Sequence, residues 1–327
     1  MNILIPISHF SDEPRSEIWQ INTVSKEKKL LTTLPKSTRP TLNSGITGMS
    51  WLNEKQLVAC DFNRIFIINS IDWSIAKQNI LLDNELNDLH SIYVSDNKIY
   101  ITNTGRDTLD IYNSNLVLIE RYSALSDQEL TDRKNYNYAL SENDSFYTPK
   151  GSPLPFYQRK VVDKYHFNHL TIIKQLNGLL VATCFAKKCL LNGRTLEVIS
   201  NTLPHEPHDG VIYKDYLWIT TINGNLYKAK IELPFKFELV VELFKKAPCQ
   251  GWCRGLMIDK DYAYIAITQI NKQYSKTRWL TQSIDETCAG VYKFNLKTNA
   301  VEDFYDLSHQ DKTKIFIIVK GNYSRSQ

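Results

Sequence analysis

Asp88-Leu89-His90-Ser91-Ile92-Tyr93-Val94-Ser95-Asp96-Asn97-Lys98-Ile99-Tyr100-Ile101-Thr102-Asn103 decides the fold, because its pattern returns. A polar residue, a short strand, a polar turn and an apolar strand follow one another, with His90 nine positions ahead of Ile99. The same interval separates His208 from Leu217 in HDGVIYKDYLWITT, and Arg254 from Ala263 in RGLMIDKDYAYIAIT. Alternating runs bounded by polar turns are strand signals, and apolar periodicity of the helical kind is almost absent.

Working outward, the repeats sort into units of roughly 40 residues. Asn2 to Leu34 gives three strands (ILIPIS, EIWQINTV, KLLTTL), and a second unit from Thr47 gives GMSWL, KQLVACD, RIFIINS and AKQNILL. A third runs from His90 through KIYITNT, TLDIYN and VLIERYS. A fourth from His169, two residues longer at its first turn, holds LTII, LLVATCF, KCLLNGRT and EVISN. The fifth and sixth open at His208 and Arg254 and end with FELVVELF and AVEDFYDL. Repeated four-stranded units that bury their faces against one another are the mark of a β-propeller. The expected fold is all-β: one six-bladed propeller over residues 1–327. Thr313 to Val319, a strand without a blade of its own, completes the three-stranded first unit, so that the two ends of the chain pair and no edge stays open. A polar stretch over 123–164, expected to be a lid or binding loop, and a shorter one over 271–287 are excursions from the ring.

The 39 basic and 35 acidic residues of the 327 are mixed along the chain and leave a net charge of +4, which argues for neither a nucleic acid nor a membrane partner. The N-terminal run, broken by Pro6 and Ser8, reads as neither a signal peptide nor a membrane span. Cys60, Cys184, Cys189, Cys249, Cys253 and Cys288 show no secreted framework spacing, so a reducing cytoplasm is the expected compartment. Cys249/Cys253 and Cys184/Cys189 have loose spacings for zinc and read as structural thiols.

In a propeller the innermost strands line the central channel, so equivalent strand starts form a ring at one mouth. Thr47, His90, His169, His208 and Arg254 take that position. Three imidazoles with an open position suit Zn, Fe, Mn or Cu, and a guanidinium suits a carboxylate or phosphate. His90, His169 and His208 are therefore expected to hold a divalent transition metal or to act as acid and base. Arg254 anchors an anionic small molecule, and Asn103 and Asn168 orient it. His166 and His205, three residues ahead of His169 and His208, are alternative ligands, and Arg106 is a further substrate contact. Solvated structural histidines are the competing reading. No Gly-rich phosphate loop, nucleophile elbow or HExxH helix is present.

DLH at 88–90, ITNTGR at 101–106, HFNHL at 166–170, LPHEPHDGVIYKDYLW at 203–218, CRGLMIDKDYAYIAIT at 253–268 and then CAGVYKFNLKTNAVEDFYDL occur in this order. Over residues 85–320 the chain resembles an uncharacterised family of bacterial six-bladed propellers. The resemblance implies the fold and the site's location, but no activity. That family commonly has HLNG where this chain has His166-Phe167-Asn168-His169, so either His166 or His169 takes the role. A broader likeness to the gluconolactonase, strictosidine synthase and virginiamycin lyase propellers is architectural. Their sites hold calcium or magnesium through oxygen ligands, whereas this ring is rich in histidine. Two functions follow: an enzyme acting on a small polar or anionic molecule, or a non-catalytic propeller that binds a protein or glycan on one face.

Overall fold

The computed structural model describes residues 1–9, 16–35, 45–80, 86–126, 128–129, 165–271 and 277–323. Its strands form six antiparallel sheets, the blades of one ring. Blade I contains β1 (Asn2–His9), β2 (Ser16–Asn22) and β3 (Lys28–Leu34), and blade II β4 (Gly48–Asn53), β5 (Gln56–Cys60), β6 (Arg64–Asn69) and β7 (Ile75–Ile80). Blade III is β8 (Leu89–Ser95), β9 (Lys98–Asn103), β10 (Thr108–Asn113) and β11 (Leu118–Ser123). Blade IV has β12 (Phe167–Ile173), β13 (Leu179–Cys184) and β14 (Cys189–Asn192). Blade V is β15 (Pro207–Tyr213), β16 (Tyr216–Thr221), β17 (Asn225–Lys230) and β18 (Glu238–Glu242). Blade VI is β19 (Trp252–Asp259), β20 (Tyr262–Thr268), β21 (Gly290–Asn295) and β22 (Ala300–Asp306).

The deciding stretch folds as the hairpin β8–β9. Ser95 pairs with Lys98 across a two-residue loop in which Asp96 and Asn97 both have positive φ, the twist that a tight hairpin requires. Middle strands such as β9 are buried on both faces, while β11, at the outer edge, has no buried residue. Blade faces meet in apolar clusters between neighbours: Ile65 and Ile67 pack with Ile92 and Ile101 between blades II and III, and Leu226 and Val241 with Ile258 and Ile265 between V and VI. Burying such side chains contributes roughly 1.5–3 kcal/mol each, so a blade is stable only beside its neighbours.

The ring closes as the surplus strand predicts, with one difference. The C-terminal segment forms two short strands, β23 (Thr313–Lys314) and β24 (Val319–Lys320), which pair with opposite ends of β1 at Ser8–His9 and Ile3–Leu4. The stretch between them leaves the ladder, so the expected continuous strand is split. Gly255 permits this path: a Cβ there would lie 2.9 Å from the Ile317 Cα. Blade IV also departs from expectation, because EVISN forms only isolated bridges, Val198 to Leu191 and Ser200 to Phe235 of the next blade.

The insertion expected over 123–164 lies outside the described residues at 127 and 130–164, and so does the lid reading. Within the second insertion residues 272–276 are likewise outside. The remainder packs back on the ring through Trp279, stacked on Phe244, and through Thr281, whose N–H and hydroxyl both donate to the Gln250 side chain. Beside it, Cys249 and Cys288 form a disulfide, contrary to the all-thiol expectation. A sequence separation of 39 has no framework signature; the ring brings the two together.

Candidate functional site

Four successive inner strands begin with the same irregularity. Register runs from Leu89 opposite Asn103 to Ile92 opposite Ile101, and it slips likewise between Phe167 and Leu170, Pro207 and Gly210, and Cys253 and Leu256. Each slip is a β-bulge with one residue more than its partner strand, a device that re-aims side chains. The bulged pairs are His90-Ser91, Asn168-His169, His208-Asp209 and Arg254-Gly255. The residue equivalent to His90, His208 and Arg254 is therefore Asn168, and His169 sits one position later, with Ser91 and Asp209.

Threonines keep these bulges in place. Thr102, Thr183 and Thr220 stand opposite them and accept N–H bonds from Ser91 (2.8 Å), His169 (2.9 Å) and Asp209 (3.3 Å). Thr183 and Thr220 then donate to the carbonyls of His208 (3.4 Å) and Arg254 (2.7 Å) in the next blade. Thr47 is such a peg, donating to the Leu89 carbonyl, and not a site group. The hydroxyls of Thr47, Thr183 and Thr220 each join two blades at the level of the mouth, so the ring positions are set by inter-blade hydrogen bonds as well as by packing.

The second bulge residue leans onto the following blade. Ser91 Oγ accepts the Leu170 N–H at 3.4 Å. Asp209 accepts from Leu256 N (2.7 Å), Gly210 N (2.9 Å) and His169 Nδ1 (2.5 Å), which ties blades IV, V and VI through one buried carboxylate. His169 is thus spent on positioning. Its Nε2 is buried without a hydrogen-bond partner among the described residues.

Three of the first bulge residues, His90, His208 and Arg254, meet at the mouth with aromatic companions. His90 packs edge-on against His166 (centroids 4.9 Å) and lies 6.3 Å from the His208 ring. His166 stacks on Phe185 (4.7 Å), and Phe185 lies parallel to Trp252 (6.4 Å). The Arg254 guanidinium carbon stands 5.6 Å from the Trp252 ring and 4.0 Å from that of Phe316, which in turn contacts His90 and His208. A closed circuit of rings and one cation results, drawn from blades III to VI and the C-terminal segment. Phe316 reaches it because the chain leaves the ladder between β23 and β24. Asp107 sets His166: its carboxylate accepts the N–H groups of Tyr165 and His166, at 2.9 and 3.0 Å, and His166 adopts a positive φ of 61°.

Electrostatics separate the roles. Arg254 Nη1 donates to His208 Nε2 at 2.8 Å, so His208 is the acceptor. Burial, then the Arg254 charge and the neighbouring histidines, hold the His208 pKa well below the ordinary histidine range. Asp88 Oδ1 lies 3.5 Å from His90 Nε2.

Asn103 is engaged inside blade III, accepting from Asn87 N (3.0 Å) and donating to Asp110 (2.9 Å). Arg106 is buried in the turn after β9, and His205 is half-buried ahead of β15. Asn168 does reach the bulge position, where it donates to the Pro207 carbonyl at 3.2 Å. The expected His90–His169–His208 metal centre meets a physical obstacle. Arg254 occupies the His208 Nε2 lone pair and places a cation there, while Asp209 turns His169 onto the next blade. Among the described residues no three His, Cys, Asp or Glu side chains gather as a metal-holding group. Phe316, Trp252, Phe185, Asp88 and Asp209 were missed. The only sequence signals for them were the surplus C-terminal strand and the residues adjoining the repeat positions.

The sequence matches no family profile, and no curated protein matches it. Among solved structures it is similar to a protein of unknown function from Bacteroides caccae, at 9% identity over 97% of each chain with a TM-score of 0.60. It is also similar to a chain from a nidogen/laminin complex, at 10% identity over 99% of this chain and 100% of that one, TM-score 0.61. At such identities the likeness is one of fold. It supports the six-bladed architecture; the resemblance to one particular bacterial family finds no matching profile.

His208 makes stability depend on pH. Because its folded pKa is depressed, stability is complete above about 6.5, the value expected when unfolded, and falls as pH drops from there toward the folded value. The slope in that window approaches roughly 1.4 kcal/mol per pH unit from this one group. His208→Gln, which keeps an acceptor for Arg254, should flatten the loss between pH 6.5 and 5 in urea titrations; an unaltered difference between the two pH values would show that His208 titrates normally.

Proposed function

We propose that the channel mouth binds a small anionic molecule, a carboxylate or phosphate, and takes up a proton at His208 as it does so. The carrying observation is the Arg254–His208 hydrogen bond within the circuit of rings. A guanidinium is a fork of donors matched to such anions, and the Phe316 and Trp252 rings beside it supply a desolvated setting that strengthens the interaction. The same cation suppresses protonation of His208. An anion on Arg254 offsets that charge and competes for the bond, so the proton affinity of His208 rises on binding. A histidine that is protonated only when the anion is seated is suited to act as a general acid on that anion, with His90 and Asp88 adjacent.

Calorimetric titration with inorganic phosphate and with small dicarboxylates, in buffers of different ionisation enthalpy at pH 6.5, tests the reading. Expected are saturable binding, net proton uptake that is absent in His208→Gln, and affinity weakened at least tenfold by Arg254→Ala. Binding without proton uptake, or no binding by any of these anions, would remove it.

A protein partner on one face is a second reading. It draws on the nidogen/laminin structure, whose chain belongs to a protein complex, though the likeness is of fold only. Here Arg254→Ala would leave partner capture intact, which separates the two readings.

A further inference from the structure

We infer that Cys184 and Cys189 form a thiol–disulfide exchange site in blade IV, which accepts a low-molecular-weight disulfide and acts on the anion site beside it. The two lie directly opposite each other on β13 and β14. Antiparallel partners have Cα atoms about 4.5–5.5 Å apart, within the range of about 4.4–6.8 Å that a disulfide spans. Both are free and buried. They close the turn Phe185-Ala186-Lys187-Lys188, where Ala186 and Lys187 face solvent. The Cys184 thiol and then, against the opposing effect of burial, the Lys187 ammonium favour the thiolate at Cys189, which makes it the attacking sulfur.

The exchange balances in two steps. The Cys189 thiolate attacks one sulfur of the small disulfide, and the first small thiolate leaves. Cys184 then attacks Cys189 Sγ in the mixed disulfide, and the second leaves. Each departing thiolate takes up one of the two protons the cysteines lose. No other oxidant is needed.

This turn is also a wall of the site. Cys184 Sγ donates to the Tyr165 carbonyl at 3.3 Å, Ala186 N to the same carbonyl at 3.1 Å, and Phe185 N to the His166 carbonyl at 3.0 Å. Disulfide formation removes the thiol donor to Tyr165 and draws β13 and β14 together beneath Phe185, whose ring carries His166. The two redox states therefore present different walls to an anion on Arg254; this second part rests on the anion-binding reading.

The test uses the protein of residues 1–327, glutathione disulfide as oxidant and a non-reducing tryptic digest after alkylation. Since Lys187 and Lys188 lie between the cysteines, the expected product is two peptides joined by a Cys184–Cys189 bond, with Cys60 and Cys253 alkylated after unfolding. In Cys184→Ser the Cys189 thiol should retain glutathione. Phosphate affinity should then differ at least threefold between oxidised and reduced protein. Cys184 and Cys189 both recovered alkylated, or pairing with other cysteines, would overturn the exchange site. A joined pair with equal phosphate affinity in both states would overturn its action on the mouth. If neither state binds phosphate, the anion reading falls, while the joined peptides still establish the exchange site.

Discussion

Removing the chain from Thr313 onward is expected to abolish cooperative folding, not merely lower its midpoint. The deletion takes away Ile315, Ile318 and Val319, all buried, which between them contribute roughly 5–9 kcal/mol of apolar burial. It also strips the hydrogen bonds of β23 and β24 from β1 and the two bonds between Thr268 Oγ1 and the Ile315 backbone. Whole domains are stable by only about 5–15 kcal/mol, so the loss is of the same order as the total. The measurement is a thermal melt with size-exclusion chromatography, followed by addition of a peptide spanning 308–323 in trans. Loss of the transition with partial rescue by the peptide is the expected result. A truncated protein that melts where the full chain does would mean the ring does not depend on this closure.

Asp209→Ala is expected to be the most destabilising single substitution at the mouth. It leaves the N–H groups of Leu256 and Gly210, and His169 Nδ1, without their acceptor in a buried setting, where breaking such a network costs about 3–5 kcal/mol. Ser91→Ala, which removes a single longer bond of the same kind, should cost about 1 kcal/mol. Urea unfolding of both variants gives the comparison. Equal, small effects would show that the carboxylate does not join the three blades; a large effect confined to Asp209 with phosphate binding retained would place it in the scaffold and not in the anion contact.

Much of the architecture was legible in the chain alone. Strand alternation and the interval of nine are local properties: a strand buries alternate residues, and a tight turn such as Asp96-Asn97 needs residues that tolerate positive φ, so both appear as short-range patterns. The unmatched Thr313–Val319 segment likewise announced closure, because the first unit was one strand short and the end of the chain had one to spare. His90, His208 and Arg254 were found by the same register.

What the tertiary structure decided was everything that depends on a bulge or on a neighbouring blade. The bulge recurs in all four blades and so shifts none against another, but five residues separate the paired Ile173 and Leu179 where two separate Ser95 and Lys98, one more than the sequence count allowed, so that count placed an imidazole where Asn168 stands. Phe316 was invisible as a site residue, since its position follows from a break in a ladder made with the opposite end of the chain. Cys249 and Cys288 are partners because the ring brings separate segments together. Whether a histidine holds a metal, accepts from an arginine or leans on an aspartate depends on atoms supplied by other blades. Those contacts are long-range, and no periodicity along the chain encodes them.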